Sequence, residues 1–599
     1  MWGVTDLRRR TVRVPGPRIR SCAAAVAVLA LAGCTPPGLP APIAPIATSV
    51  RGSVGPVEPR ITIGIDGAVQ GFNPHAIADY SLADAAVAQL VLPSVSSVAA
   101  DGTVRLNADV VRKAEVTSNE PFTITYTLDR NASWSDGTPI TAEDFSYLYQ
   151  SMLVQPGTVD PAGYQAITSI TSKDAGKTVE VVFGRRIADW KTLFSPLLPS
   201  HILKDSPGGW TDGLAAGIPV SGNRYKMQGY DAATSEITLV RNDKYWQSQP
   251  GPSIAVLRIG SPTALIQALG RGDLQAVYLQ PDAAEQRTLQ AVVPVDHRVA
   301  VPLPGTVQLV FNTVTGAAAD VRVRRAVAAG LDLAAIRAVL SGGNLDGAAP
   351  SPSLLRLPAT SVGPNAGSPS MSNPSSDAAP GLPTPTASAP IGGATSPPAA
   401  GGSMAVAELA AAGYTRKSLY LRKDGHILRL RLAYSGGDAR MAAAARLIQQ
   451  QLAQAGIEVD LVRADLRIVL GVPAAVDPVA LTLAMVTRGP SDGLAAASAF
   501  GCPASASTAE PGQTDPQLRA GNLSGFCSAA VQQSVDQATD GSMPGDLNGL
   551  LQASLPVLTI GRPSAIFAAS AGIAPILSGA GRGWVYSGPL SGLPGWPPG

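Results

Sequence analysis

Charged residues are scarce in this sequence, and the two signs nearly cancel. They make up 15% of the 599 residues and leave a formal net charge of +2, whereas an average soluble domain is about 25% charged. No basic stripe of the kind that follows a nucleic-acid backbone is present, so a nucleic-acid partner is not expected. Histidines are also few, and the four that occur are scattered: His75, His201, His297 and His426. A zinc site is therefore not expected, and we predict no metal and no cofactor.

Motifs of the common enzyme classes are missing too. The chain contains no Gly-x-Ser-x-Gly, no His-Glu-x-x-His and no Gly-x-x-x-x-Gly-Lys, the patterns of serine hydrolases, metalloproteases and nucleotide-binding loops. The stretch WSDGTPITAEDF nevertheless places Asp136, Glu143 and Asp144 close together. These acids could serve acid–base catalysis or a helix start. Asp-Gly-Thr-Pro is typical of a turn, and acids after Thr141 are typical of a capped first helical turn, so we predict a helix start and no catalysis.

The N-terminus has the pattern of a lipoprotein signal peptide. Several arginines precede an apolar segment, 21–32, of about twelve residues, which is short of the ~20 that a membrane-spanning helix needs. Cys34 follows two small residues, as in a lipobox. We predict a signal peptide at 1–33, a lipid anchor on Cys34 and a Pro-rich tether at 34–58, which would hold the protein on the extracytoplasmic face of the cell membrane. No later segment is long and apolar enough to cross a bilayer.

Two further cysteines, Cys502 and Cys527, lie 25 positions apart in a region rich in Gly and Ser. In an oxidising compartment they predict a disulfide, worth roughly 3 kcal/mol in the chain-entropy description. A Cys/Cys metal site is the alternative, but no histidine lies near them in the sequence. The irregular stretch 503–520 falls inside the proposed loop.

Short strands alternate with helices along the chain. Arg60–Asp66 and Phe122–Leu128 are rich in β-branched and aromatic residues, which is typical of strands. The alternating Leu428–Tyr434 predicts a strand that leads into a helix from Ala439, with a second strand at Ile457–Leu461. A β-α-β unit of this kind favours α/β lobes. By contrast, 351–403 is dominated by Pro, Ser, Ala and Gly without periodicity, and it predicts a disordered insertion.

Six segments, in order, carry a family resemblance. ASWSDGTPITAEDFSYLYQSML resembles the signature segment of family 5 solute-binding proteins, the peptide-binding receptors of ABC importers. GFNPH, LLPSHIL, ITLVRNDKYW, ALGRGDLQAV and LVFNTVTGAAADVRVRRAVAAGLDLAAI are similar to further motifs of that family. The resemblance implies an α/β fold with two lobes, of the periplasmic-binding-protein type II class, and an additional inserted domain. The implied division is lobe I at 59–92, 200–300 and 559–599, the inserted domain at 93–199, and lobe II at 301–558.

The family resemblance also implies where a ligand would bind. One wall of the cleft is extended backbone that pairs with a peptide as an added strand; here it is Ala68, Val69, Gln70 and Gly71. The other wall usually carries an aspartate for the peptide ammonium, but this chain has Arg488 or Gly489 in the corresponding place, and Asp492 comes three residues after Gly489. Without that acid, a buried ammonium would lack a partner. Arg488 could face a phosphate or an anionic sugar lipid, or it could be a solvated loop residue.

A narrower resemblance links MLVQPGTVDPAGYQAITSI, LVLPS and NLSGFC to a group of mycobacterial envelope lipoproteins within this family. That resemblance implies control of phosphatidylinositol mannoside and lipoarabinomannan synthesis, with the mannosyltransferase PimE as a genetic partner. Two hypotheses follow: a regulator that binds an envelope glycolipid, and a receptor that delivers oligopeptides to an ABC permease. A third, an envelope hydrolase, has no motif in its favour.

Overall fold

A seven-stranded sheet, here called sheet I, forms the framework of the first lobe. Its strands run in the order Arg298–Pro302, Ser564–Ala569, Ala276–Leu279, Arg60–Asp66, Ile254–Gly260, Glu236–Arg241 and Tyr225–Asp231. The central strand Arg60–Asp66 pairs in parallel with both of its neighbours, and six of its seven residues are buried. A continuous apolar run is expected where both faces of a parallel strand are covered, and the predicted bounds of this strand are confirmed.

The computed structural model describes residues 59–99, 101–248, 251–341, 400–416, 418–472, 474, 476–502, 520–542, 545–579 and 584–596. The predicted signal peptide, Cys34 and the tether lie outside these residues, as do 351–399 of the predicted insertion and 503–519 of the stretch within the disulfide loop. The last residues of the predicted insertion, 400–403, are not irregular. They begin the helix Ala400–Ala411, whose buried Ala405 and Leu409 pack into the core of the second lobe.

The second lobe is built on a five-stranded sheet, sheet II. Its order is Glu458–Ala464, Arg429–Ser435, Leu481–Thr487, Gly305–Phe311 and Val557–Gly561. The predicted β-α-β unit is confirmed, because Arg429–Ser435 and Glu458–Ala464 pair in parallel and the helix Ala439–Gln454 connects them. That helix buries Met441, Ala445, Ile448 and Leu452, the face that its sequence predicted.

A four-stranded antiparallel sheet, sheet III, lies within 93–199. It consists of Val111–Asn119, Phe122–Leu128, Thr178–Phe183 and Ile167–Lys173, and its core is continuous with that of sheet I. Smaller sheets are Ser96–Val98 with Val104–Leu106, and Thr415–Arg416 with Leu421–Lys423 and His426–Ile427. The remaining α-helices are Leu82–Val91, Ala142–Val154, Ala162–Gln165, Ser200–Leu203, Pro262–Arg271, Ala283–Val292, Val321–Ala329, Leu333–Ser341, Leu466–Gly471, Asp492–Phe500, Ala529–Asp540, Leu547–Ser554 and Trp584–Ser587.

Two short segments carry the chain between sheets I and II. The first joins Pro302 to Gly305 and the second joins Gly561 to Ser564, and the amide of Leu303 donates to the carbonyl of Pro563 at 3.0 Å. The predicted boundaries at 300/301 and 558/559 therefore fall inside strands, because local sequence does not mark the point where a strand changes sheets. The wider division into domains stays a prediction.

The disulfide between Cys502 and Cys527 is present, as the sequence predicted. Among the described residues, no three His, Cys, Asp or Glu side chains are placed to hold a metal ion. No helix within the ranges given above has the length and apolar composition needed to span a bilayer.

Candidate functional site

A cavity of about 840 Å³ lies between the two lobes, beside the crossing segments. Sheet I contributes the residues that follow the C-terminal ends of its parallel strands, namely 66–70, 260–262 and 280–285. Ligands of α/β proteins commonly bind at such strand ends, because the loops there diverge and leave a crevice. Sheet II and its helices supply the opposite wall through 337–341, 435–441 and 483–485.

Half of the residues that line the cavity are aliphatic when Ala, Pro and Met are counted. They come from both lobes and include Val69, Ile77, Leu82, Ile259, Leu303, Val307, Val339, Leu340, Leu466, Leu483 and Ile560. The aromatic side chains in the lining are Tyr80 and Tyr230. Trp134, Trp190 and Trp210 are buried in the core of sheets I and III, and Trp246 donates its indole N–H to the carbonyl of Asp109 at 2.8 Å. These four tryptophans pack the fold and do not line the cavity.

One ion pair joins the lobes across the cavity. Arg440, in the first turn of the helix Ala439–Gln454, places Nη2 3.2 Å from Oδ2 of Asp66 and donates from Nη1 to the carbonyl of Gln280 at 2.6 Å. The Asp66 carboxylate also accepts from the amide of Gln280 at 3.0 Å. Burial raises the pKa of Asp66, and Arg440 opposes that shift. The pair thus fixes the end of strand Arg60–Asp66 to the second lobe.

A second ion pair closes the lobes at the predicted peptide-pairing wall. Nε of Arg467 lies 2.7 Å from Oδ1 of Asp79, and its Nη2 donates to the carbonyl of Gln70. Burial raises the pKa of Asp79, whereas its hydrogen bond and ion pair with Arg467 lower it. Gly71 is required here, because a Cβ at that position would overlap both Asp79 and Arg467. One backbone carbonyl of this wall, that of Gln70, therefore already accepts a hydrogen bond from the second lobe.

The other carboxylates of the cavity wall are bound to local backbone. Asp438 caps the helix Ala439–Gln454 by accepting from the amide of Arg440 at 2.8 Å. The residue before it, Gly437, lies close to Gln70 of the first lobe, because a Cβ on Gly437 would fall 2.5 Å from Nε2 of Gln70. Asp282 and Glu285 form a reciprocal capping box at the start of the helix Ala283–Val292. Asp438 therefore belongs to the wall that faces Gln70, in a segment other than the one from which the family resemblance implies an aspartate.

Arg337 is the other arginine in the described lining. It belongs to the helix Leu333–Ser341, and its Nε donates to the carbonyl of Ile560. Its two Nη groups have no hydrogen-bond partner among the described residues, and no described carboxylate lies within ion-pair distance of it. Val339 and Leu340 line the cavity close to it in the chain. Arg337 thus brings a positive charge to an aliphatic part of the wall.

The structure separates the predicted ligand-binding residues. Ala68, Val69 and Gln70 line the cavity, and Gly71 lies behind them. Arg488 and Asp492 instead line a separate hollow of about 50 Å³.

In that hollow, Nη1 of Arg488 lies 3.1 Å from Oδ1 of Asp160, and the Gly489 amide donates to the same carboxylate at 2.6 Å. Burial raises the pKa of Asp160, and Arg488 lowers it. Arg488 therefore holds the second lobe against the inserted region and does not reach the cavity.

Arg337, Arg440 and Arg467 were missed at the level of sequence. Arg440 had a usable signal, since it lies in the first turn of a helix that was predicted. Arg337 follows directly after the last residue of the segment that resembles the family. Arg467 has no local signal, because its partner Asp79 is 388 positions away.

The acid-rich stretch lies in the inserted region and does not line the cavity. Asp144 accepts from the amide of Thr141 at 3.0 Å, which completes a capping box at the start of the helix Ala142–Val154. It also accepts from the amide and the hydroxyl of Ser200 at 3.0 and 2.8 Å. Asp136 contacts Nε2 of His201 at 2.8 Å. The predicted helix start is confirmed, and these acids join it to the segment 200–203.

A sequence profile of the bacterial extracellular solute-binding proteins, family 5, matches residues 106–477. This match covers more than half of the chain. The chain belongs to that family. The predicted two-lobed fold agrees with solved family 5 structures. One is the oligopeptide-binding protein AppA of Bacillus subtilis in complex with a nonapeptide. It superposes with a TM-score of 0.63 and 16% sequence identity, over 90% of this chain and 99% of AppA. A periplasmic EDTA-binding protein, EppA, has a TM-score of 0.62, 19% identity, and coverage of 90% and 96%.

Among curated family 5 relatives, similarity is high to the probable monoacyl phosphatidylinositol tetramannoside-binding protein LpqW of Mycobacterium tuberculosis. The two chains are 37% identical over 344 residues, which is 55% of this chain and 54% of LpqW. The oligopeptide-binding protein OppA of Mycobacterium bovis is 24% identical over 327 residues, 51% of this chain and 55% of OppA. Each match thus spans about half the length of the relative, and the narrower of the two predicted resemblances, to LpqW, is confirmed.

Proposed function

We propose that this protein is a non-catalytic envelope binding protein that holds a mannosylated phosphatidylinositol in the cavity between its lobes. The observation that carries the proposal is the aliphatic lining of a cavity of about 840 Å³, near the top of the roughly 300–1,000 Å³ range of small-molecule sites. Such a wall suits an acyl chain, because each buried methylene contributes about 0.8 kcal/mol. The 37% identity to a protein named for a phosphatidylinositol mannoside supports the same ligand class.

The hydrogen bond that the carbonyl of Gln70 already accepts supports lipid binding over peptide binding. A peptide that adds as a strand needs main-chain partners, and Arg467 donates to the carbonyl of Gln70. In the proposed role, the protein senses or presents the glycolipid and so controls the balance between phosphatidylinositol mannosides and lipoarabinomannan, with PimE as its functional partner. A lipid anchor on Cys34 would place the cavity next to the membrane that holds these lipids.

A second candidate, the substrate receptor of a peptide ABC importer, is favoured by one observation. Asp438 lines the cavity, and the residue before it, Gly437, lies close to Gln70 across the cleft, so the Asp438 carboxylate could pair with the ammonium of a peptide. In this role the protein would dock on a permease after closing around its ligand. Asp438 also caps a helix, so an ammonium would have to share it with two backbone amides.

Native mass spectrometry of the purified chain separates the two candidates. The protein is presented with purified phosphatidylinositol mannosides and, in parallel, with a peptide library. We expect bound lipid that is released unchanged, and an affinity that falls about fourfold for each methylene removed from short-chain analogues. If peptides bind only when their N-terminal amine is free, and if Asp438→Asn abolishes that binding, the peptide-receptor candidate would replace the lipid proposal. Chemical change in the bound lipid would refute the non-catalytic role.

A further inference from the structure

Arg337 lies in the cavity wall with its guanidinium held in place but its charge unmatched. Nε donates to the carbonyl of Ile560 in the strand Val557–Gly561, so the side chain is fixed at one point. The carbonyl of Arg337 itself accepts from the hydroxyl of Ser341 at 2.8 Å, which ties the last turn of the helix. Both Nη groups remain without a partner in the described part of the chain. These Nη groups are not among the buried atoms that lack a partner, so they remain accessible donors at the cavity wall.

Three other arginines, each linking different parts of the fold, show the usual arrangement in this protein. Arg440, Arg467 and Arg488 each lie within 3.2 Å of a carboxylate oxygen from another part of the fold. Of the two arginines in the described cavity lining, Arg440 is matched by Asp66, and Arg337 is not matched. A ligand with an anionic group at Arg337 would give this arginine the kind of partner that the other three already have.

We infer that Arg337 is the subsite for a phosphate group of the ligand. A guanidinium presents paired N–H donors that match two oxygens of a phosphate, and the anchored Nε leaves the Nη pair for that contact. This inference rests on the proposed function, because the phosphodiester of a phosphatidylinositol would lie at Arg337 while an acyl chain follows the aliphatic wall. Inorganic phosphate or a free sugar phosphate carries the same chemistry, so the test has to separate these sources.

The test measures binding by calorimetry for the full chain and three variants. The probes are dioctanoyl phosphatidylinositol, glycerophosphoinositol, inorganic phosphate, and a dioctanoyl mannosyl glycerolipid that lacks phosphate. The variants are Arg337→Gln, Arg337→Lys and Arg325→Gln. Arg325 is a matched control, since it also donates one hydrogen bond to a backbone carbonyl, that of Ala553, and it lies outside the cavity. Thermal melting checks that each variant is folded.

We expect Arg337→Gln to weaken binding of dioctanoyl phosphatidylinositol by roughly 10- to 100-fold, as for loss of a charged hydrogen bond. The affinity of Arg337→Gln for the phosphate-free lipid should not change. For dioctanoyl phosphatidylinositol, the affinity of Arg337→Lys should lie between those of Arg337→Gln and the wild type, and Arg325→Gln should bind as the wild type does. Unchanged binding of phosphatidylinositol by Arg337→Gln would overturn the inference and leave the lipid proposal intact. An equal loss for both lipids would also overturn it, since Arg337 would then only shape the cavity.

The water-soluble probes separate this inference from the proposed function. If the wild type binds neither lipid but binds glycerophosphoinositol or phosphate in an Arg337-dependent way, the lipid proposal fails and the phosphate subsite stands. If inorganic phosphate binds as tightly as phosphatidylinositol, a free phosphate is the source of the anion. If no phosphate-bearing probe binds, both the subsite and the lipid proposal are wrong.

Discussion

Asp144 gives the most direct test of whether the acid-rich stretch is structural. Its side chain is 2% exposed and accepts hydrogen bonds from Thr141, from the amide and the hydroxyl of Ser200, and from the indole of Trp134 at 3.4 Å. Asp144→Ala removes all of these at once. It leaves the amides of Thr141 and Ser200 without their acceptor, and each such buried donor costs roughly 1–3 kcal/mol. With the loss of the helix cap, roughly 1 kcal/mol, the expected total is about 3–7 kcal/mol.

Glu143 is the matched control for this prediction. It is the adjacent acid in the same helical turn, but its side chain is 69% exposed and 3.5 Å from Lys204, so Glu143→Ala should change stability by about 0.5 kcal/mol or less. Urea unfolding followed by tryptophan fluorescence measures both variants, and Trp134 reports directly on the Asp144 contact. If Asp144→Ala and the wild type have the same free energy of unfolding in the urea titration, the hydrogen-bond argument is wrong. A variant that stays fully stable but loses a measurable turnover would instead make Asp144 catalytic.

Two further predictions concern the disulfide and a buried acid. Replacing both Cys502 and Cys527 by Ser should lower the free energy of unfolding by about 3 kcal/mol. A reductant should destabilise the wild type but not this variant. Equal melting temperatures of the two proteins without reductant would contradict the prediction. Burial, with Asp79 nearby, raises the pKa of Asp84 well above its usual range, and its Oδ1 has no hydrogen-bond partner within the described ranges. A raised folded-state pKa gives stability that is present at acid pH and is lost as pH rises above the unfolded value of 3.8. The free energy of unfolding of Asp84→Asn should therefore equal that of the wild type near pH 4. Above pH 4 it should exceed the wild-type value by up to about 1.4 kcal/mol per pH unit. A constant difference between the two proteins at every pH would refute this.

The parts of the fold that follow local pattern could be predicted from the sequence. Arg60–Asp66 is a strand because its apolar, β-branched residues fill a position buried on both faces. The helix Ala439–Gln454 follows from its apolar periodicity and the Asp438 cap. The disulfide follows from two cysteines in one region. Each of these features depends on residues that are close in the chain, so no knowledge of the tertiary structure was needed.

The site could be predicted only in part, because its charges are assigned by contacts between distant segments. Arg488 and Arg337 look equally available in the sequence. Their difference is that Arg488 meets Asp160, 328 positions away, whereas Arg337 meets a backbone carbonyl. Likewise Arg440 is neutralised by Asp66, 374 positions away. No periodicity or spacing encodes such pairings, so the sequence does not show that Arg488 is paired with an acid while Arg337 lines the cavity. Which residues contact a ligand, Ala68 to Gln70 included, stays a prediction.

The backbone wall at Gln70 keeps the family motif and also contacts the second lobe. The stretch before GFNPH keeps the extended backbone that resembles the peptide-pairing wall of family 5. In this chain, however, Arg467 from the second lobe donates to the carbonyl of Gln70 and pairs with Asp79, and Gly71 leaves the room for both contacts. A peptide that paired with this backbone would have to share the carbonyl of Gln70 with the guanidinium of Arg467. A ligand that instead fills the aliphatic space and meets Arg337 leaves the closure intact, so lobe closure and binding can reinforce each other.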